Sequence, residues 1–211
     1  MSTYSGEPPN PSISTIALAS GNRGKLAELE PLLADFGFRL VTQSDLGLAG
    51  APEDGLTFVE NALAKARHVA REGGMPALAD DSGLIVDTLG GAPGIHSARY
   101  AAGTGAPSDA ANNARLIDAL AGEIRRHARF YCALVLMRHA ADPAPLIATG
   151  SWEGEILTEP RGEHGFGYDP LFFDPRLGRS AAELGREEKA AVSHRGGAVR
   201  ALLAALGDWR P

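Results

Sequence analysis

The chain has 211 residues, 44% of them apolar and 22% charged, which suits one globular domain or two closely joined lobes and excludes disorder as the overall state. Its 26 acidic residues against 20 basic ones leave a formal charge of −6, which counts against a nucleic acid polymer bound along a long surface track. A compact anionic ligand stays open, provided that cations are concentrated in one place or a metal ion supplies the missing charge.

The start, Met1 to Ser14, has no basic segment and no apolar core, and no apolar run approaches membrane length. Cys132, the single cysteine, sits inside the apolar run 131–137 and reads as a small buried hydrophobe, so no disulfide or Cys-based zinc site can form within the chain. These features predict a cytoplasmic protein without a membrane segment, with a mobile Pro- and Ser-rich extension over residues 1–13 and one domain over 14–211. The basic residues divide into 17 Arg and only three Lys, at Lys25, Lys65 and Lys189, so each lysine draws attention to its neighbours.

In chain order, the apolar run 15–19 predicts a strand, Ser20-Gly21-Asn22-Arg23-Gly24 a polar loop, and the spacing of Leu26, Leu29, Leu32, Leu33 and Phe36 a helix from Lys25. Pro31 inside that pattern removes a backbone donor and predicts a kink or break. A second strand is predicted over 38–42. Thr57 and Glu60 form a capping box at the head of the next helix, with Phe58, Ala62, Ala66 and Val69 on one face and Asn61, Lys65 and His68 on another. Lys65 then projects about 12 Å along the axis from the cap. Residues 77–86 read as two short strands with a polar bend at Asp80-Asp81-Ser82-Gly83. A helix over 109–120, long strands over 130–137 and 146–152, a glycine-rich loop over 161–170 and a closing helix over 194–206 complete the pattern.

Four segments carry candidate chemistry. The loop Ser20 to Lys25 offers backbone amides and a helix N-terminus to an anion, although its spacing is not that of a Walker A loop and an ordinary strand-to-helix turn would look similar. Asp80 and Asp81 repel each other unless a cation or proton compensates, and in an extended backbone they point to opposite sides, so one of them enters a cleft while turn capping remains the structural alternative. With Glu53 as a second acidic ligand, Mg²⁺ fits better than zinc. Phe166 and Tyr168, in Gly165-Phe166-Gly167-Tyr168-Asp169, can stack on a nucleobase or plug the core beneath the loop. Six basic and three acidic residues between Arg176 and Arg200 give a local +3 within a chain of −6. There, Arg186, Glu187, Glu188 and Lys189 could pair on a solvated helix face, whereas His194 and Arg195 add donors at a helix start.

Together, ALASGNRGK, EDGLTFVENALAKARHVA, ALADDSGLIVDTLGGAPGIHSARYA, GFGYDPLFF and AAELGREEKAAVSHRG resemble the inosine triphosphate pyrophosphatase family, in particular its bacterial dITP/XTP pyrophosphatases. The match runs from about Ile16 to Leu206 and takes in all three lysines. The resemblance implies a mixed α/β fold, a β-sheet flanked by helices in two lobes with the active cleft between them, and a homodimer. It implies Mg²⁺-assisted attack of water on the α-phosphorus of ITP, dITP or XTP, releasing the monophosphate and pyrophosphate. By the same resemblance Ser20, Gly21, Asn22, Arg23, Gly24 and Lys25 would hold the triphosphate, and Glu53 and Asp81 the metal, with Asp81 also the general base. Ser82, Lys65 and Lys189 would complete the phosphate and ribose end, while Phe166, Gly167, Tyr168, Asp169, His194 and Arg195 would receive the base. Two alternatives are a Maf-like pyrophosphatase, whose Ser-rich opening loop is replaced here by Ala19-Ser20-Gly21-Asn22, and a nucleotide sensor without turnover, which would not need Glu53, Asp81 and Lys25 together.

Overall fold

The computed structural model describes residues 14–102, 108–207 and 209, so the extension predicted over 1–13 lies outside the described residues. Strand β1 (Ser14–Leu18) leads into helix α1 (Arg23–Ala34), then β2 (Phe38–Thr42), α2 (Phe58–Gly73) and β3 (Ala77–Val86). After α3 (Asp109–Ala119) come β4 (His127–Met137), β5 (Leu146–Ile156), β6 (Phe172–Asp174), β7 (Arg179–Ser180), α4 (Arg186–Val192) and α5 (His194–Leu206). The seven strands form one sheet in the order β2-β1-β3-β4-β5-β6-β7. β1 is parallel to β2 and β3, and the remaining pairs are antiparallel, which makes the sheet mixed and the fold α/β.

Alternation of side-chain size explains how the layers stack, because successive residues of a strand face opposite sides. Ile16, Leu18, Leu78, Leu134 and Leu136 point to one face and meet Leu29 and Leu33 of α1 and Val199 and Leu202 of α5. Ala17, Ala77, Ala79 and Ala133 point to the other face, where Ala62, Ala66 and Val69 of α2 pack on them. A third core at the far ends of β3, β4 and β5 gathers Leu84, Phe130, Trp152, Phe172 and Leu184. It is carried by the same continuous sheet.

Two local expectations are corrected. Of the kink or break expected at Pro31, the break does not occur: α1 continues through it to Ala34. Pro31 is exposed and close to the helix end, where the loss of one ladder donor does not end the helix. β3 is one ten-residue strand rather than two short ones: Asp80, Asp81, Ser82 and Gly83 all pair with β4, opposite Leu134, Ala133, Cys132 and Tyr131. The capping box of α2 forms as predicted, with Thr57 Oγ1 accepting from the Glu60 amide and Glu60 Oε2 accepting from the Thr57 amide. β4 and β5 pair as a hairpin, its loop closed by Asp142, which accepts from the backbone and guanidinium of Arg138.

Candidate active site

Continuity of β3 places its two aspartates on opposite faces of the sheet. Asp81 has the parity of Ala77 and Ala79 and faces α2, where Lys65 Nζ approaches its Oδ1 to 2.6 Å and Asn61 Nδ2 its Oδ2 to 3.4 Å. The same Lys65 ammonium lies 2.5 Å from Glu53 Oε1, and Arg99 Nη1 lies 2.5 Å from Glu53 Oε2. One lysine thus bridges two carboxylates, as a cation must if like charges are to share a half-buried site. Burial pushes the Asp81 carboxyl up, and Lys65 only partly offsets this. Burial acts the same way on Glu53, but Lys65 and Arg99 outweigh it and hold its carboxyl down. Burial alone would lower the Lys65 ammonium; Asp81 and Glu53 raise it instead, so it is charged throughout the physiological range.

Asp80 has the parity of Leu78 and faces α1 and α5. From it runs a line of alternating charges. Lys25 Nζ is 2.6 Å from Asp80 Oδ1, Arg195 Nε is 2.7 Å from Asp80 Oδ2, and Arg195 Nη1 donates to Glu28 Oε2. Glu28 Oε1 takes Lys189 Nζ at 2.8 Å, and Lys189 reaches on to Asp169 Oδ2 at 2.6 Å. Lys189 and Arg195 are buried, so neither lies on a solvated helix face.

The glycine-rich loop supplies the aromatics, and the structure divides their roles. Tyr168 is buried in the third core with its hydroxyl donating to the Ser97 carbonyl at 2.8 Å. Phe166 is half-buried, with Lys189 Nζ 5.1 Å and Arg195 Cζ 5.8 Å from its ring centroid. The turn closes because the Phe166 amide donates to Asp169 Oδ2 at 2.8 Å. Gly165 is required there: its φ is +77°, and a Cβ would stand 2.0 Å from that same oxygen. Asp109 and Asn113 of α3 hold both ends of the next residue, Asp109 taking the Gly167 amide at 2.7 Å and Asn113 donating to its carbonyl at 3.0 Å.

His194 opens α5 behind its cap Ser193 and is stacked on Phe130, the centroids 4.8 Å apart. Burial lowers its imidazole far below the ordinary value and the adjacent Arg195 charge lowers it further, so the ring is neutral. Its Nδ1 is buried without a hydrogen-bond partner.

Two cavities meet at Phe166, Lys189 and Arg195. One, of about 140 Å³, is lined by Asn22, Lys25, Glu53, Lys65, Asp81 and Ser82 on one side and by Gly167, Tyr168, Asp169 and His194 on the other. The second, of about 410 Å³, opens between α1 and the segment 164–189 and is bordered by Gly24, Glu28 and His164. At the α1 end, Asn22 Oδ1 caps the helix by accepting from the Lys25 amide at 3.1 Å. Ser20, Gly21 and Arg23 line neither cavity; Ser20 Oγ instead accepts from the Asn22 amide. The exposed His164 is a solvated loop residue at the cleft edge.

Sequence reasoning missed Glu28, Asn61, Arg99, Asp109 and Asn113. Asn61 had a visible signal, its place on the same predicted face as Lys65, and both side chains reach Asp81. Glu28 lies one turn beyond Lys25, but its partners Lys189 and Arg195 stand 161 and 167 residues away.

The fold and cleft define a class: an α/β protein that gathers a helix N-terminus, a lysine-bridged carboxylate pair and a cation-flanked aromatic around one cleft. A family model described as the Ham1 family matches residues 16–205, and the chain belongs to that family. A dITP/XTP pyrophosphatase of Yersinia pseudotuberculosis is 59% identical over 195 residues, 92% of this chain and 98% of that protein. Its counterpart in Escherichia coli K12, also a dITP/XTP pyrophosphatase, is 56% identical over 193 residues, 90% and 97% of the two chains. Among solved structures, a HAM1 protein from Coxiella burnetii superposes with a TM-score of 0.84 at 48% identity, covering 92% of this chain and 99% of that one.

Proposed function

We propose that this chain hydrolyses the non-canonical purine nucleoside triphosphates ITP, dITP and XTP to the monophosphate and pyrophosphate, clearing them from the nucleotide pool. The observation that carries the reading is the meeting, in one cleft, of the α1 N-terminus and Lys25 with the Glu53, Lys65 and Asp81 cluster. The names of the close relatives support it, whereas membership of the Ham1 family leaves no support for the Maf-like alternative.

Mg²⁺ suits the donor set: Glu53 and Asp81 are hard carboxylate oxygens already gathered about one cation, Lys65, and among the described residues no third His, Cys, Asp or Glu completes a metal-binding group with them, in keeping with an ion that takes one or two carboxylates. These two side chains would hold the ion, which when bound would neutralise phosphate charge. Asp81 would take a proton from the attacking water as its oxygen bonds to the α-phosphorus and the bond to the bridging oxygen breaks. Its raised carboxyl makes it a better proton acceptor than an ordinary aspartate. Lys25 and the first-turn amides of Arg23 and Gly24 would meet the triphosphate, and Lys65 would offset charge developing at the reacting centre.

At the other end of the cleft, Phe166 would stack on the base while donors from His194 and Arg195 meet the 6-keto group of hypoxanthine or xanthine. Adenine presents an amino group there, and a donor facing a donor in a buried site is strongly disfavoured. The working form would be a cytoplasmic homodimer, as the family resemblance implies.

Incubation with ITP, dITP, XTP, ATP and GTP plus Mg²⁺, with identification of products, tests the reading. Inosine and xanthosine nucleotides are expected to yield monophosphate and pyrophosphate. Release of orthophosphate would overturn the reaction, and equal rates on ATP and ITP would overturn the basis of selection.

A further inference from the structure

Asp80 has no task in the reaction just described and lines neither cavity, yet its fully buried side chain grips two cations that do line the cleft, Lys25 and Arg195. Four groups converge on it. Oδ1 receives Lys25 Nζ at 2.6 Å and Ser82 Oγ at 2.8 Å; Oδ2 receives Arg195 Nε at 2.7 Å and the Cys132 thiol at 3.4 Å. Ser82 Oγ in turn accepts from Arg195 Nη2 at 2.9 Å, so Asp80, Ser82 and the guanidinium form a closed ring. With Nη1 on Glu28, three of the five guanidinium N–H groups are engaged and its plane is fixed, leaving two for a ligand.

We propose that Asp80 is the positioning residue for base selection: it locks the Arg195 guanidinium in the plane that reads the purine and ties it to Lys25 at the phosphate end. This rests on the reading of the cleft given above. Lys25 and Arg195 occupy separate oxygens of one carboxylate, so displacement of either cation redistributes charge toward the other. Glu28 cannot substitute, since it sits at the cleft border and divides its charge between Arg195 and Lys189. Burial would raise the Asp80 carboxyl, but Arg195 and Lys25 outweigh it and keep it ionised. Cys132, its thiol pushed well up by burial and by Asp80, stays a neutral donor beneath it.

The test compares Asp80→Asn, which keeps the shape and removes the charge, with the full-length wild type and with Glu53→Gln. In Asp80→Asn the ratio of kcat/KM on ITP to that on ATP is expected to fall about tenfold or more, because a guanidinium free to turn no longer rejects the amino group. Glu53→Gln is expected to lose turnover on both nucleotides with little change in their ratio. A ratio within about twofold of wild type in a folded Asp80→Asn protein would overturn the proposal. Should that variant fail to fold, Ser82→Ala opens the same ring without removing a charge. Its ratio should fall severalfold, and an unchanged ratio would equally overturn the proposal.

Calorimetric binding of IMP and AMP gives the discrimination without turnover. A wild type that releases no pyrophosphate from ITP would refute the proposed reaction. Loss of IMP-over-AMP preference in Asp80→Asn would still support the role of Asp80, and an intact preference would refute it.

Discussion

Lys65 stands within 2.6 Å of two carboxylates, so it sets the charge state that Asp81 presents to a substrate. Replacing the acid by its amide separates chemistry from binding. Asp81→Asn is expected to lower kcat on ITP by a factor on the order of 10² to 10⁴, the usual worth of a general base, while nucleotide affinity changes little. Steady-state kinetics with parallel calorimetry checks this, and an active variant would remove Asp81 from the role. The residue types were legible from the sequence, because adjacent acids flanked by apolar residues demand a cation. Their partners were not. Asp81 is held by a residue 16 positions away and Asp80 by one 115 positions away, distances at which local pattern carries no information.

At the scale of elements, the packing of α5 on β5 depends on one missing side chain. A Cβ on Gly150 would stand 2.1 Å from the His194 carbonyl oxygen and 2.6 Å from the Ala198 amide, both backbone atoms that cannot step aside. Gly150→Ala is therefore expected to cost about 3 kcal/mol or more, the upper range for overpacking, and to push the first turn of α5 away from the cleft. Urea unfolding gives the first effect and loss of ITP turnover the second; a variant as stable as wild type would contradict the packing.

β6 offers a pH test. Burial would raise the Asp174 carboxyl, but hydrogen bonds from Arg176 and from Trp152 Nε1 bring it down to about 2. A group with a lowered folded value stabilises above its unfolded value, near 3.8, and loses that contribution as pH falls toward 2. The amount is roughly 2 kcal/mol. Trp152→Phe, which removes the indole donor, should lose less stability than wild type between pH 5 and 2, as followed by urea midpoints. The helix starts were readable because a cap is a local device: Thr57 and Glu60 lie three residues apart. The strand β3 was misread for the opposite reason. A run of polar residues looks like a turn until tertiary partners for each of them are known.

Across the whole molecule, the cleft joins parts that belong to three separate cores: α1 and α5, then α2, then the loop 165–170 with α4. A nucleotide bound there would stabilise all of them at once. IMP at about a hundred times its Kd is expected to raise Tm by roughly 5–10 °C, read by scanning fluorimetry. Absence of a shift would contradict binding of IMP to the folded chain. Composition had pointed to a compact anion from the contrast between a −6 chain and a +3 segment. The fold buries two cations of that segment in the cleft, Lys189 and Arg195, and leaves Arg186 exposed at the border of the larger cavity.

The unbroken course of β3 has a consequence for how this site tolerates change. Asp80 and Asp81 are chemically the same residue, and only odd or even position along the strand decides which one meets α2 and which meets α5. An insertion or deletion of a single residue at the start of β3 would exchange their assignments although both aspartates stayed in the chain. What forbids that exchange is the neighbouring Ala-Leu-Ala, whose small and large side chains fit only one way between the helices. The apolar residues thereby act as the address label for the acidic ones.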